Sequence, residues 1–404
     1  MSLLAAFLAI TADWDAVFPQ QRTFRRAVRQ ALGSLVCLGR RCLSRIIWTN
    51  GGQDRSWSAE YFLHSRCQWE PQELFRPILK QALEHGPQRL VGVAIDDTKL
   101  RKTGRCISQA FYQRDPLSPP FHVNLVLGLR FLQASLLVPL HRNAPVGSRA
   151  LPIRFQEVSR VMRARKDAKL CFRAIASAPG PRRFYGTEKF TPESVRQDQS
   201  REWKTTRIFY GGKRRKIRYK EVTEVYWQRG AKQRPLRLIV IAPTLYRKSK
   251  SKKMYYRDPA YLLTTDLRSS TKQLLQIYFD RWQIEVNHRE EKDTLGVGQA
   301  QLWNVISVPK QPVLAVAAYS ALLLASPQAF GAERGAAYAE LPKWRRSARR
   351  PSCFGSDYAP SQGNGAATCI ARAPRLTSNR FRLGPGGCCM RKCRNSSPTA
   401  IAVG

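Results

Sequence analysis

The sequence predicts an α/β protein with a helical N-terminal region and a basic, β-rich insertion. Two observations carry this. Apolar residues recur at helical spacing through the first 85 residues and again near the end of the ordered pattern, while short apolar runs of strand length lie between. Strands interleaved with helices argue for an α/β core.

Residues 1–85 are expected to be helical and to bind DNA. The stretches Thr23–Ile47 and Pro71–Glu84 set apolar positions at helical spacing among Arg, Gln and Glu. Arg25, Arg26, Arg29, Arg40, Arg41 and Arg45 give the region a basic face, for DNA docking or simply for solvent. The apolar start, Met1–Ile10, lacks a basic n-region and is followed by Asp13 and Asp15, so it is expected to be a helix of the folded domain.

The character changes at Leu90–Thr98 (Leu-Val-Gly-Val-Ala-Ile-Asp-Asp-Thr), an apolar run that reads as a buried strand with acid at its C-terminal end. Val123–Leu129 and Leu132–Leu140 are further strand candidates. Residues from about 195 to 260 form the insertion. There Arg201–Lys220 alternates aromatic and basic residues around a Gly211–Gly212 hairpin turn, and Glu221–Trp227 and Leu236–Ala242 follow as strands. Tyr261–Leu267 is another strand. The Pro312–Ala325 run is too short to cross a bilayer and is expected to be a core helix.

The formal charge of +41 exceeds what solubility requires and costs stability by self-repulsion unless a polyanion is present. Nucleic acid is the natural partner. Basic residues are spread along the chain and not gathered on one amphipathic segment, which argues against a membrane surface. An RNA- or ribosome-binding protein would account for the charge, but no RNA-module motif is present. Scattered Cys37, Cys42, Cys67, Cys106 and Cys171 suit a reducing cytoplasm. Cys388, Cys389 and Cys393 cluster, but no histidine follows His288 and no second pair has zinc-finger spacing.

Chemistry concentrates in Ile277–Lys292, which has no Gly or Pro and reads as one helix. Steps of three, four and seven residues set Tyr278, Arg281, Glu285 and Lys292 on one face. A carboxylate with an arginine one turn away and a lysine two turns away suits phosphate chemistry: the acid holds a divalent metal while the bases hold the backbone. A solvated helix with salt bridges is the competing reading.

Taken together, Val91–Gly104 and Tyr278–Lys292 resemble bacterial insertion-sequence transposases of the DDE class, in the branch whose last acid lies in a Tyr-x2-Arg-x3-Glu-x6-Lys signature. The resemblance covers residues 20–345, roughly. It implies a ribonuclease-H-like core over 86–345, dimeric assembly on double-stranded DNA (transposon ends and target), and a cytoplasmic, nucleoid-associated location. It also implies two Mg²⁺ ions (Mn²⁺ substituting), about 3.5–4 Å apart, held by three carboxylates for DNA cleavage and strand transfer. By the same resemblance Asp97 is the first acid, with Asp96 the alternative, Glu285 the last, and both are metal ligands. Tyr278, Arg281 and Lys292 contact the transposon-end backbone, and Trp282 stacks on an unpaired base or fills the core.

The chain departs from the pattern in two places. No apolar-Asp strand supplies a second acid between Pro152 and Lys169, as though a block had been lost near Phe155–Ser159; Asp167 and Asp266 are substitutes on paper. From Pro351 apolar periodicity vanishes, five of the ten cysteines appear (Cys353, Cys369, Cys388, Cys389, Cys393), and Asp357 is the sole acid. Residues 346–404 are thus expected to be a disordered or aberrant basic tail, as from a shifted reading frame. The core is expected to be incomplete and catalysis impaired, leaving a DNA-binding remnant or repressor as the alternative reading.

Overall fold

The structure is a computed structural model of the 404-residue chain. It describes residues 1–330 apart from 55, 85–91, 105, 108, 116–117, 119–123, 142–143, 158–167, 175–183, 211–212, 229–230, 232 and 248–253. The expected tail, Asp167 and the Gly211–Gly212 turn lie outside the described residues.

In chain order the elements are α1 (Leu3–Ala12), α2 (Gln21–Val36), α3 (Leu43–Thr49), α4 (Ser58–Ser65), α5 (Phe75–Glu84), β1 (Gly92–Arg101), β2 (Phe111–Arg114), β3 (Leu125–His141), β4 (Ala144–Glu157), β5 (Leu170–Arg173) and β6 (Tyr185–Phe190). They continue with α6 (Pro192–Gln197), β7 (Lys204–Tyr210), β8 (Lys213–Val225), β9 (Leu236–Ile241), β10 (Leu245–Arg247), β11 (Met254–Tyr256), β12 (Ala260–Thr264), α7 (Thr271–Asp280), α8 (Gln283–Arg289), a π-helical turn (Glu290–Thr294) and α9 (Ser307–Phe330). This is a mixed α/β protein with a helical N-terminal region. Its described residues divide into two compact units, Met1–Arg160 with the segment from Phe279 onward, and Val161–Tyr278.

In the first unit the helical start is as expected, but Thr23–Ile47 is two helices. The chain leaves α2 at Cys37 and turns through Gly39, whose φ of 85° is open to glycine and strained for other residues. Phe7, Ile10, Trp14, Ala27, Ala31 and Ile78 pack with α9 in one core. α9 is apolar all round, and such a helix has no side to give to water. It is long and apolar enough to cross a membrane, and most of it is buried inside the fold. The run expected to be a core helix is therefore buried, within a longer helix than the sequence marked.

The sheet of this unit is antiparallel. β1 and β4 flank β3, with Asp97 opposite Leu132 and Leu136 opposite Leu151, and β2 extends the far end of β3. The two strands expected over Val123–Leu140 are one continuous β3. Gly128 makes the crossing with β1 close: a Cβ there would stand 2.7 Å from the Leu100 carbonyl oxygen. Phe131 and Phe155 stack at 4.6 Å beneath the sheet.

The second unit is built on the antiparallel sheet β12-β9-β8-β7. All six residues of β9 are buried, as a central strand covered on both faces requires. Leu170, Val195, Val222, Val225, Leu238 and Val240 form its core. Tyr210 pairs with Lys213 across the β7–β8 hairpin, and exposed Arg207 lies directly opposite exposed Lys216. Arg218 covers the Trp203 ring at 5.2 Å and Arg215 the Tyr210 ring at 5.9 Å.

Candidate functional site

Strand β1 carries both candidate acids, and the two-residue period of a strand sends neighbours to opposite faces. Asp97 points away from α8 and pairs with Arg130, Nε to Oδ2 at 2.9 Å. Asp96 points toward α8. Its Oδ2 lies 3.9 Å from His288 Nε2, and its carboxyl shares a hydrogen bond with Glu285. The first acid that meets Glu285 is therefore Asp96, not Asp97. Asp97, expected as the first acid, therefore lies on the other face from Glu285, because facing depends on which side of β1 the helix packs.

The single helix expected over Ile277–Lys292 is broken. Backbone bonds from Trp282 to Phe279, Ile284 to Arg281 and Glu285 to Trp282 step back three residues, at 3.3, 3.0 and 3.1 Å. The chain then widens to a π-helical turn, where Leu295 N–H donates to Glu290. Tight and wide turns rotate side chains off the 3.6-residue spacing, so a common face cannot be read from offsets alone. No Gly or Pro marks the break; packing imposes it.

Glu285 is half-buried, and its pKa is raised, first by burial and then by the negative charge of Asp96; His288 and Arg281 act the other way. Burial lowers the pKa of Lys292, opposed by Glu291, Asp293, Glu285 and Asp96. Arg281, Glu285 and Lys292 thus share one electrostatic neighbourhood with Asp96. Tyr278 is half-buried on α7 in the second unit, and Trp282 is half-buried at the break. Asp266 lies in the second unit and caps a turn: its Oδ1 accepts from the backbone N–H groups of Arg268 and Ser269, both at 2.9 Å.

Six side chains that sequence reasoning missed complete the surroundings. His288 is buried between Asp96 and Glu291, whose Oε2 is 3.5 Å from Nδ1. Behind them Glu290 is buried in an ion pair with Arg149 (2.6 Å), and the Tyr319 hydroxyl donates to Glu290 and accepts from Arg149. Asn287 Nδ2 donates to the Ala150 carbonyl, tying the helix to β4. The i, i+3 run Glu285–His288–Glu291 was the available signal.

The donors do not fit a clamp for two Mg²⁺ ions. Asp97 is committed to Arg130 on the other face, and among the described residues no group of three or more His, Cys, Asp and Glu stands in metal-holding geometry. Of the six N-terminal arginines, Arg26 and Arg29 are paired with Glu60 and Arg41 Nε donates to the Ser34 carbonyl, while Arg25, Arg40 and Arg45 are exposed. No protein-family model and no curated protein matches the chain.

Proposed function

We propose that this chain is a relative of the DDE-class insertion-sequence transposases that binds double-stranded DNA, and that its cleavage and strand-transfer chemistry is impaired. Under this reading its core is an incomplete ribonuclease-H-like fold that works on DNA ends as a dimer in the cytoplasm. The observation that carries it is the meeting of Asp96, in the middle of β1, with Glu285, flanked by Arg281 and Lys292 and separated from it by almost two hundred residues of chain. Such a mix of acid and base suits a phosphodiester backbone. The β7–β8 hairpin adds support: an arginine directly opposite a lysine is destabilising unless an anion lies across them. The committed Asp97 and the lack, among the described residues, of a third carboxylate placed to share a metal with Asp96 and Glu285 favour an impaired enzyme, or a remnant that represses transposition by occupying DNA, over an active one.

The test is a gel-shift and fluorescence-anisotropy titration of the full chain with mixed-sequence duplex DNA over a range of salt, followed by an Mg²⁺ or Mn²⁺ cleavage assay. The expected result is binding whose affinity falls steeply with salt, with little or no cleavage. Salt-independent binding, or none at low salt, would overturn the DNA reading. Efficient two-metal cleavage would overturn the impairment.

A further inference from the structure

We propose that the far edge of β1 pairs with β1 of a second copy of this chain, joining two sheets across a two-fold axis at Thr98. Among the described residues β1 has one neighbouring strand, β3. Just past the end of β1, Lys102 N–H donates to the Leu127 carbonyl of β3 at 2.9 Å. By the alternation of an antiparallel ladder, the backbone groups of Val93, Ile95, Asp97, Lys99 and Arg101 then point to the far edge. There the Asp97 N–H is held by the Asp96 side chain, with Oδ1 at 2.9 Å, a local stand-in for a strand. Val93 and Ile95 on this edge are 46% and 55% exposed. A sheet edge with no neighbouring strand and exposed apolar residues is a template for another strand.

A second copy fits because the edge is complementary to itself. In a two-fold antiparallel pair centred on Thr98, Asp97 of each copy lies directly opposite Lys99 of the other, and Ile95 lies opposite Arg101. Opposite charges so placed stabilise a pair of strands, and like charges destabilise it. Centring the axis on Asp96, Asp97 or Lys99 sets a charge against itself, and centring it on Ile95 forms no ion pair. The axis residue gives an independent reason. Thr98 is 4% exposed, and its buried Oγ1 has no hydrogen-bond partner, a costly state for an enclosed hydroxyl. At the axis the two Thr98 residues form a non-hydrogen-bonded pair, the closer of the two kinds, with Cα atoms about 4.5 Å apart. Each hydroxyl there meets the other, as those of cross-strand Thr pairs do.

The contact is isologous, so it closes at two copies and leaves no edge of β1 to recruit a third. Asp97, turned away from Glu285 and paired with Arg130, then lies at the junction of the two sheets. This surface would serve the dimer of the DNA reading, but the pairing needs no nucleic acid and is measured without it, so the two fail separately.

The experiment is analytical ultracentrifugation of the full chain, nuclease-treated and free of nucleic acid, over a wide range of protein concentration. Salt at about 0.15 M screens part of the repulsion between chains of charge +41. A monomer–dimer equilibrium is expected. Lys99→Glu should weaken it, and so should Ile95→Lys, which sets a cation opposite Arg101, whereas Ile95→Glu should tighten it. Each change acts twice across the axis and shifts the dissociation constant by about two- to thirtyfold. Circular dichroism of each variant checks the fold, and opposite signs at Ile95 are not an effect of misfolding. Thr98→Cys, mildly oxidised, should join two chains through the introduced thiol, located by peptide mapping, because Cα atoms at that spacing accept a disulfide. A chain monomeric at every concentration, a dimer weakened alike by both Ile95 substitutions, or introduced thiols that never join would each overturn the proposal.

Discussion

Replacing Glu290 by Gln tests whether the helix after Glu285 is anchored as the structure has it. The Glu290 carboxylate is 1% exposed, and its Oε2 receives hydrogen bonds from Arg149 Nη2 at 2.6 Å and from the Tyr319 hydroxyl. Burial alone would lower the pKa of Arg149, yet Glu290 and Tyr319 outweigh it and hold the pKa above its ordinary value. Gln keeps the shape and removes the charge, leaving a guanidinium enclosed among β4, α9 and the π-helical turn with no counter-ion. Removing one partner of a buried pair costs about 3–5 kcal/mol. For a unit of this size each kcal/mol lowers the melting temperature by about 2–4 °C, so a fall of roughly 6–20 °C is expected. Arg149→Met added to Glu290→Gln should recover part of the loss, because it removes the stranded charge. Tyr319→Phe should cost less, about 1–3 kcal/mol, since the pair itself survives. Thermal and urea unfolding of these three variants, of Arg149→Met alone and of the parent makes the comparison. A Glu290→Gln protein within about 0.5 kcal/mol of the parent, or a double variant less stable than the sum of the singles, would refute the reasoning.

Two other predictions concern the core of each unit. His64 is enclosed and neutral, with Nε2 2.9 Å from Gln30 Oε1, and burial followed by the nearby charge of Lys310 lowers its pKa to about 3. The unfolded chain takes up this proton as pH falls through about 6.5 while the folded chain does not, so stability is lost toward acid, by about 2 kcal/mol between pH 7 and 5. Urea unfolding at both pH values, compared with His64→Gln, should show that loss only in the parent; equal slopes would count against a buried neutral imidazole. Leu238 is fully buried on β9, and Leu238→Ala should cost about 2–5 kcal/mol in the second unit. Limited proteolysis within Val161–Tyr278 reads this out, and unchanged resistance would contradict the packing described.

Much of the architecture is legible in the sequence, because periodicity is a local property. The helical start, the β-rich stretch after residue 195 and the buried helix through Pro312–Ala325 follow from where apolar residues recur. The same reading joins what the fold separates and splits what it joins. Thr23–Ile47 breaks at Gly39, Ile277–Lys292 breaks at Arg281–Trp282 with no Gly or Pro to announce it, and β3 runs on through two expected strands.

What tertiary structure alone decided is facing. Asp96 and Asp97 are adjacent, identical in chemistry and set in the same apolar context, so composition cannot rank them. Their separation comes from the strand pleat together with the side of β1 on which α8 packs, which turns Asp96 toward Glu285 and leaves Asp97 to Arg130. His288, Arg149 and Tyr319 acquire meaning for the same reason. Their partners are brought from distant parts of the chain by packing, and a charge in a sequence says how strongly a residue can interact but not with what.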